Sequence, residues 1–229
     1  MIIRKGKYSD VREKPLFSPR YDMVGLVDSL GEGVTSLQVG QRVADLTVIG
    51  AYSEYICLSA DRLTPVPDGL DSAEAVNLVL SYITAYQMLH RISEVKNAQS
   101  ILVHGAGGAV GTAMLQLGKT LGLEMFGTAS KPKHDLISDI GVTPIDYKSE
   151  DWVERVLDYK KDGIHAVFDP IGGENFNNSF RVLRKGGILV GYGFYNVVMG
   201  KGGSIVVDFM RLKLWDFLPT LFCNHSQIV

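Results

Sequence analysis

Ile101-Leu102-Val103-His104-Gly105-Ala106-Gly107-Gly108-Ala109-Val110-Gly111 decides the reading of this chain. Three apolar residues read as a buried strand. The glycine cluster reads as a sharp turn, and Thr112 to Leu121 carries helical periodicity. Strand, glycine turn and helix in that order are the context a dinucleotide fingerprint requires. Glycines let the backbone approach a pyrophosphate closely, and the unpaired N–H groups of a helix start bind it with help from the helix dipole. Gly105, Gly108, Ala109, Val110 and Gly111 are therefore candidate cofactor-binding residues. The plainer alternative is a turn that only packs helix on strand.

The next strand tests which dinucleotide is meant. Sites that prefer NAD place an Asp or Glu at its end, about 20 residues on, for the ribose hydroxyls. Here the strand from Glu124 ends in Gly127-Thr128-Ala129-Ser130-Lys131-Pro132-Lys133, with no carboxylate. Small hydroxyls and two lysines stand in its place, suited to a 2′-phosphate by charge-assisted hydrogen bonds. Thr128, Ser130, Lys131 and Lys133 join the candidates, and NADPH is the favoured cofactor. Taken alone, Lys131 and Lys133 also read as solvated surface lysines. Two later turns, Asp169-Pro170-Ile171-Gly172-Gly173 and Gly191-Tyr192-Gly193-Phe194, follow strands at the same carboxyl edge. They suit a nicotinamide ribose lying against backbone, or serve as ordinary turns.

Around this core the pattern is regular. Strand-like runs begin near Ser100, Glu124, Thr143, Ile164 and Gly187, at roughly 20-residue intervals with helical stretches between them. That predicts a parallel sheet wound by βαβ units. Pro65-Val66-Pro67-Asp68-Gly69 is a stiff punctuation, after which Asp71 or Ser72 can cap a helix through Ala75, Leu78, Ile83 and Met88. The first 65 or so residues read instead as short strands, over Met23–Val27, Gln41–Val48 and Tyr52–Leu58, a piece of a β-barrel or sandwich. Ser204 to Leu221 is apolar almost all round, and Phe222 to Val229 reads as an unstructured tail.

Composition narrows the class. The chain has 229 residues, 46% hydrophobic and 21% charged, enough for a sizeable core. Its net charge of −2 gives no electrostatic footprint for nucleic acid or an anionic membrane. Two cysteines, Cys57 and Cys223, make neither a disulfide framework nor a structural zinc site. No apolar run reaches the ~20 residues a membrane span needs, and the N-terminus lacks a signal-peptide core. A cytoplasmic address is the expectation.

Further motifs carry a resemblance. Ile3-Arg4-Lys5-Gly6-Lys7-Tyr8, Tyr21-Asp22-Met23-Val24-Gly25-Leu26-Val27 and Gly50-Ala51-Tyr52-Ser53-Glu54-Tyr55 resemble the medium-chain dehydrogenase/reductase superfamily. Tyr82-Ile83-Thr84-Ala85-Tyr86, the glycine fingerprint, Gly127-Thr128-Ala129-Ser130 and Gly191-Tyr192-Gly193 are similar to its zinc-free quinone oxidoreductase branch, the zeta-crystallin and VAT-1-like proteins. The resemblance implies an α/β fold: a Rossmann doubly wound parallel sheet plus an incomplete GroES-like β-barrel domain. Residues 1–70 would be the partial catalytic domain and 71–229 the NADP-binding domain. The branch with catalytic zinc has a Gly-His-Glu stretch where this chain has Arg20-Tyr21-Asp22, and it carries four clustered structural cysteines. His90, His104, His134, His165 and His225 show no ligand spacing, so no metal is expected.

The resemblance also implies roles. NADPH would lie along Gly108-Ala109-Val110, with Ser130, Lys131 or Lys133 and Tyr147 around the 2′-phosphate and adenine. Thr84 would approach the nicotinamide, flanked by Gly193, Phe194 and Tyr195, and Tyr8 would stand near the substrate as the catalytic-side candidate. Tyr147 also reads as an aromatic closing the third strand, Tyr8 as a turn tyrosine and His104 as a structural hydrogen-bonding group. The implied reaction is hydride transfer to a small-molecule quinone or activated alkene. A silent NADPH-binding protein and an enoyl-thioester reductase are the alternatives. No general acid is nominated. Relatives begin with further strands and an active-site asparagine, and continue beyond Trp215, so both ends are expected to be incomplete. Relatives usually pair through the cofactor-domain sheet edge, which makes a homodimer there the expectation.

Overall fold

The computed structural model describes residues 17–192, Tyr195 and the pair Gln227–Ile228. Two compact units divide the chain at Ile83/Thr84.

The first unit holds a three-stranded antiparallel sheet in the order β1 (Asp22–Leu26), β2 (Arg42–Leu46), β3 (Thr64–Pro65). Alternation puts Met23 and Val43 on one face, where they pack with Val27, Leu37, Ala60 and Leu63 in a small core. Asp45 is held on this sheet by Arg62, at 2.8 Å. The strand expected over Tyr52–Leu58 is not formed. Tyr52 and Tyr55 stand 62% and 76% exposed, and no described strand pairs with the segment. The third strand is Thr64–Pro65 instead. β-rich composition without a neighbour to take up its N–H and C=O groups does not make a strand.

A helical run from Ser72 to Ile92 carries the chain into the second unit, alternating α and π turns over α1 (Ser72–Asn77), 78–82, α2 (Ile83–Gln87) and 88–92. Its start is capped as the sequence suggests: the Asp71 carboxylate accepts from the Ala73 and Glu74 N–H groups.

The second unit is built on a parallel six-stranded sheet in the order β6-β5-β4-β7-β8-β9. Its strands are β4 (Ser100–His104), β5 (Glu124–Ala129), β6 (Thr143–Asp146), β7 (Ile164–Asp169), β8 (Leu183–Gly191) and β9 (Gln227–Ile228). In order of appearance this is 3-2-1-4-5-6, the doubly wound arrangement, with its switch point between β4 and β7. Helices α3 (Ala109–Thr120), α4 (His134–Ser138), α5 (Trp152–Tyr159) and α6 (Glu174–Arg181) provide the crossovers. One face of the sheet packs Leu102, Phe126, Val167 and Leu189 against Val153, Val156 and Phe176 from α5 and α6. The other face meets α3, where a side chain at Gly118 would strike Met125 Sδ.

Two expectations change here. The fifth strand begins at Leu183, not near Gly187, after an irregularity in its pairing with β7. The segment expected as an unstructured tail contains β9, which pairs with Ile188 and Leu189. The outer edge of β8 offers unspent N–H and C=O groups, and a passing segment satisfies them.

Candidate functional site

The carboxyl edge of the sheet carries Gly105–Gly111, Thr128–Lys133 and Tyr147, at the ends of β4, β5 and β6. Gly105 turns the chain at φ +64°, a conformation that favours glycine. Gly108 caps α3 without a side chain, and its own N–H donates to the Gly105 carbonyl at 2.9 Å. The first intrahelical bond of α3 runs from Thr112 N–H to Gly108 O. The N–H groups of Ala109, Val110 and Gly111 therefore have no acceptor within the helix and face its open end. This is an anion cradle of the kind a pyrophosphate fits. Gly111 also serves packing. A Cβ there would stand 2.5 Å from Gly105 O and 2.8 Å from Ala106 O, so only glycine lets α3 seat on the loop.

The turn after β5 lies beside this loop. Ala106 N–H donates to the Thr128 carbonyl at 3.1 Å. Ser130 is half-buried and caps the short turn Lys131–Lys133. The two lysines are not equivalent. Lys133 lays its stem across Gly107 and donates from Nζ to the Gly107 carbonyl. Lys131 is exposed and makes no such contact with the loop. His134 Nε2 donates to the Ala129 carbonyl at 3.2 Å, fixing the same turn from below. Tyr147 follows β6 and is half exposed. The neighbouring Asp146 carboxylate is occupied by Lys148 N–H and Ser149 Oγ, which hold it below the usual carboxylate range.

Thr128 departs from expectation. It is 1% exposed and its hydroxyl turns into the sheet, 2.9 Å from His104 Nδ1. Side chains alternate along β5, and Thr128 shares the face of Phe126, which packs toward α5 and α6, the face opposite α3. His104 Nε2 meets Ser179 Oγ at 3.1 Å, and Ser179 Oγ donates to Asp169 Oδ2 at 2.7 Å. Asp169 also accepts from Asn175 Nδ2 at 2.8 Å and from the Ile171 and Gly172 N–H groups at 2.7 and 3.3 Å. Burial pushes the His104 imidazole down from its ordinary range, opposed by the Asp169 charge, so the ring is neutral at pH 7. The Trp152 ring closes over it edge-on, 4.5 Å between centroids.

Sequence reasoning named His104 as a structural hydrogen-bonding group but missed the partners. Asp169 entered only as the first residue of a turn, and Ser179 not at all. A carboxylate ending the apolar run Ala166-Val167-Phe168 was the available signal.

The β7 turn packs on the glycine loop: a Cβ at Gly105 would lie 3.7 Å from Pro170 Cγ. Tyr195 N–H donates to the Pro170 carbonyl, and its ring is half exposed. Thr84 is half-buried on α2. Tyr8, Gly193 and Phe194 lie outside the described residues, as does the apolar segment before residue 222. Among the described residues, no three His, Cys, Asp or Glu side chains converge as a metal site. No described helix is long and apolar enough to cross a membrane.

With this geometry in view, comparison with known proteins gives the family. The zinc-binding dehydrogenase model matches residues 109–224, and the alcohol dehydrogenase GroES-like domain model matches 1–68. The synaptic vesicle membrane protein VAT-1 homolog of Danio rerio is 36% identical over 217 residues, 94% of this chain and 44% of that protein. The quinone oxidoreductase of Rattus norvegicus is 32% identical, over 90% of this chain and 61% of its own length. Among solved structures, Escherichia coli quinone oxidoreductase complexed with NADPH superposes with TM-score 0.83 at 25% identity, over 99% of this chain and 66% of that one. The chain belongs to the zinc-binding dehydrogenase family of the medium-chain dehydrogenase/reductase superfamily, on the branch of the quinone oxidoreductase and VAT-1-like proteins. It spans about half the length of the VAT-1 relatives it matches.

Proposed function

We propose that the chain binds NADPH along the edge formed by Gly105–Gly111, Ser130, Lys131 and Tyr147, within a reductase of quinones or activated alkenes. Residues 71–229 form the cofactor domain in this reading, and residues 1–70 form part of the catalytic domain. The supporting observation is the unpaired N–H cradle at the start of α3 beside a β5 turn that ends in Ser130-Lys131 with no carboxylate. The cradle takes the pyrophosphate. Lys131 and the Ser130 hydroxyl take the 2′-phosphate, while Lys133 holds the loop carbonyl at Gly107. NADPH, when bound, supplies a hydride.

The protein's own residues then have the work of orientation and exclusion of water. In this reading Thr84 and Tyr195 belong to the nicotinamide side, and the roles that the family resemblance gives Gly193, Phe194 and Tyr8 fall outside the described residues. An enone or quinone is already polarised, so the reading needs no zinc and no nucleophile–base pair. A cytoplasmic address and a homodimer through the outer sheet edge belong to the same reading.

The test is consumption of NADPH, followed by absorbance, with a panel of quinones, enones and enoyl thioesters of increasing chain length. Turnover with quinones or enones and none with NADH is the expected result. Saturable NADPH binding without consumption would contradict the reductase and leave a binding protein. Turnover that depends on acyl chain length would replace the quinone with a thioester.

A further inference from the structure

The pairing of β4 with β7 ends at Val103 and Phe168, and the sheet opens there at its switch point. Just beyond, side chains continue the connection that the backbone gives up. His104 and Asp169 are the last residues of β4 and β7, Thr128 is the penultimate residue of the adjacent β5, and Ser179 on α6 bridges His104 and Asp169. Each of the three lies one or two residues before a loop that the cofactor reading uses: Ser130-Lys131, Gly105–Gly108 and Pro170–Gly173.

Proton bookkeeping fixes the direction of the chain. Asp169, fully buried and accepting on both oxygens, has only lone pairs to offer. The one hydroxyl proton of Ser179 is therefore committed to Asp169. Its oxygen can meet His104 only by accepting, so His104 carries its proton on Nε2. Nδ1 is then the acceptor for the Thr128 hydroxyl. Every polar group in the line has a partner, and reversing any one bond would set two buried acceptors against each other.

A buried Thr, His, Ser and Asp at the edge of the sheet and on the helix beside it is costly where apolar residues would pack as well. What such a satisfied network adds is a single arrangement. We propose that His104, as its Nε2–H tautomer, is a positioning residue that locks the phosphate loop, the β5 turn and the β7 turn in one register for the cofactor. This rests on the cofactor reading above. His104 itself touches none of the cofactor candidates' open N–H groups; it acts through Thr128 and through Ser179 and Asp169.

Amide hydrogen exchange on the 229-residue chain, with Thr128→Val and Thr128→Ser compared to the parent, tests this without relying on turnover. Thr128→Val keeps the shape and removes the donor to Nδ1. Exchange is expected to rise by roughly tenfold at the bonded amides of Ala106, Gly108, Ile171 and Gly172 together, the loss of about one buried hydrogen bond. Thr128→Ser should restore the parent pattern. NADPH and NADH should weaken alike in Thr128→Val, because the cradle is common to both. Unchanged exchange at both loops would overturn the proposal even if the parent binds no cofactor, an outcome that would separately sink the cofactor reading. If Thr128→Val does not fold, nitrogen-15 spectra of the parent's imidazoles decide. Protonated Nε2 at His104 is required, and protonated Nδ1 overturns the assignment.

Discussion

His104 illustrates how one side chain links stability to the site. Burial lowers its pKa first, and the Asp169 charge opposes this. For His165, burial again comes first, with the Arg184 and Lys160 charges lowering it further and Glu124 opposing. Both imidazoles therefore take up protons more readily unfolded than folded. As pH falls through about 6.5, the unfolded chain gains protons that the folded chain refuses, so stability present at neutral pH is lost toward pH 5. The thermal midpoint should fall over that window, and less steeply in His104→Gln. A flat profile would contradict the assignment of His104 as buried and neutral. The sequence placed His104 beside the phosphate loop but gave no means of finding Ser179, because 75 positions separate them and only the α6 crossover brings them together.

Secondary structure was readable where a local rule had no competitor. The strands from Ser100 to Asp169 fall where apolar runs lie between glycine turns, and Asp71 caps the helix it precedes. Tyr52–Leu58 and β9 went the other way, since strand formation depends on a neighbour that local pattern does not supply. The seating of α3 on its loop is set by Gly111. Its would-be Cβ meets backbone atoms of Gly105 and Ala106, which cannot swing aside. Gly111→Ala should cost about 1–3 kcal/mol in denaturant unfolding. At Gly107 the nearest obstacle is the flexible Lys133 stem, so Gly107→Ala should cost much less. Equal losses would mean that α3 is free to shift off the loop.

Across the molecule, the glycine fingerprint and the strand spacing were enough to define the doubly wound unit, and the family comparison agrees with it. The same spacing does not distinguish the two lysines proposed for the 2′-phosphate, because both stand in one turn. Their surroundings differ: Lys133 is engaged on Gly107, and Lys131 is exposed. The division of the chain at Ile83/Thr84 falls inside a helical run, a boundary that composition does not mark. In the proposed reading, this edge is an NADPH site with Lys131 as its selective residue. Fluorescence titration of the 229-residue chain with NADPH and with NADH, repeated for Lys131→Glu, measures that directly. Tighter binding of NADPH in the parent, with the preference abolished in Lys131→Glu and NADH affinity kept, is the predicted result. Equal affinity for the two cofactors in the parent, or binding of neither, would contradict it.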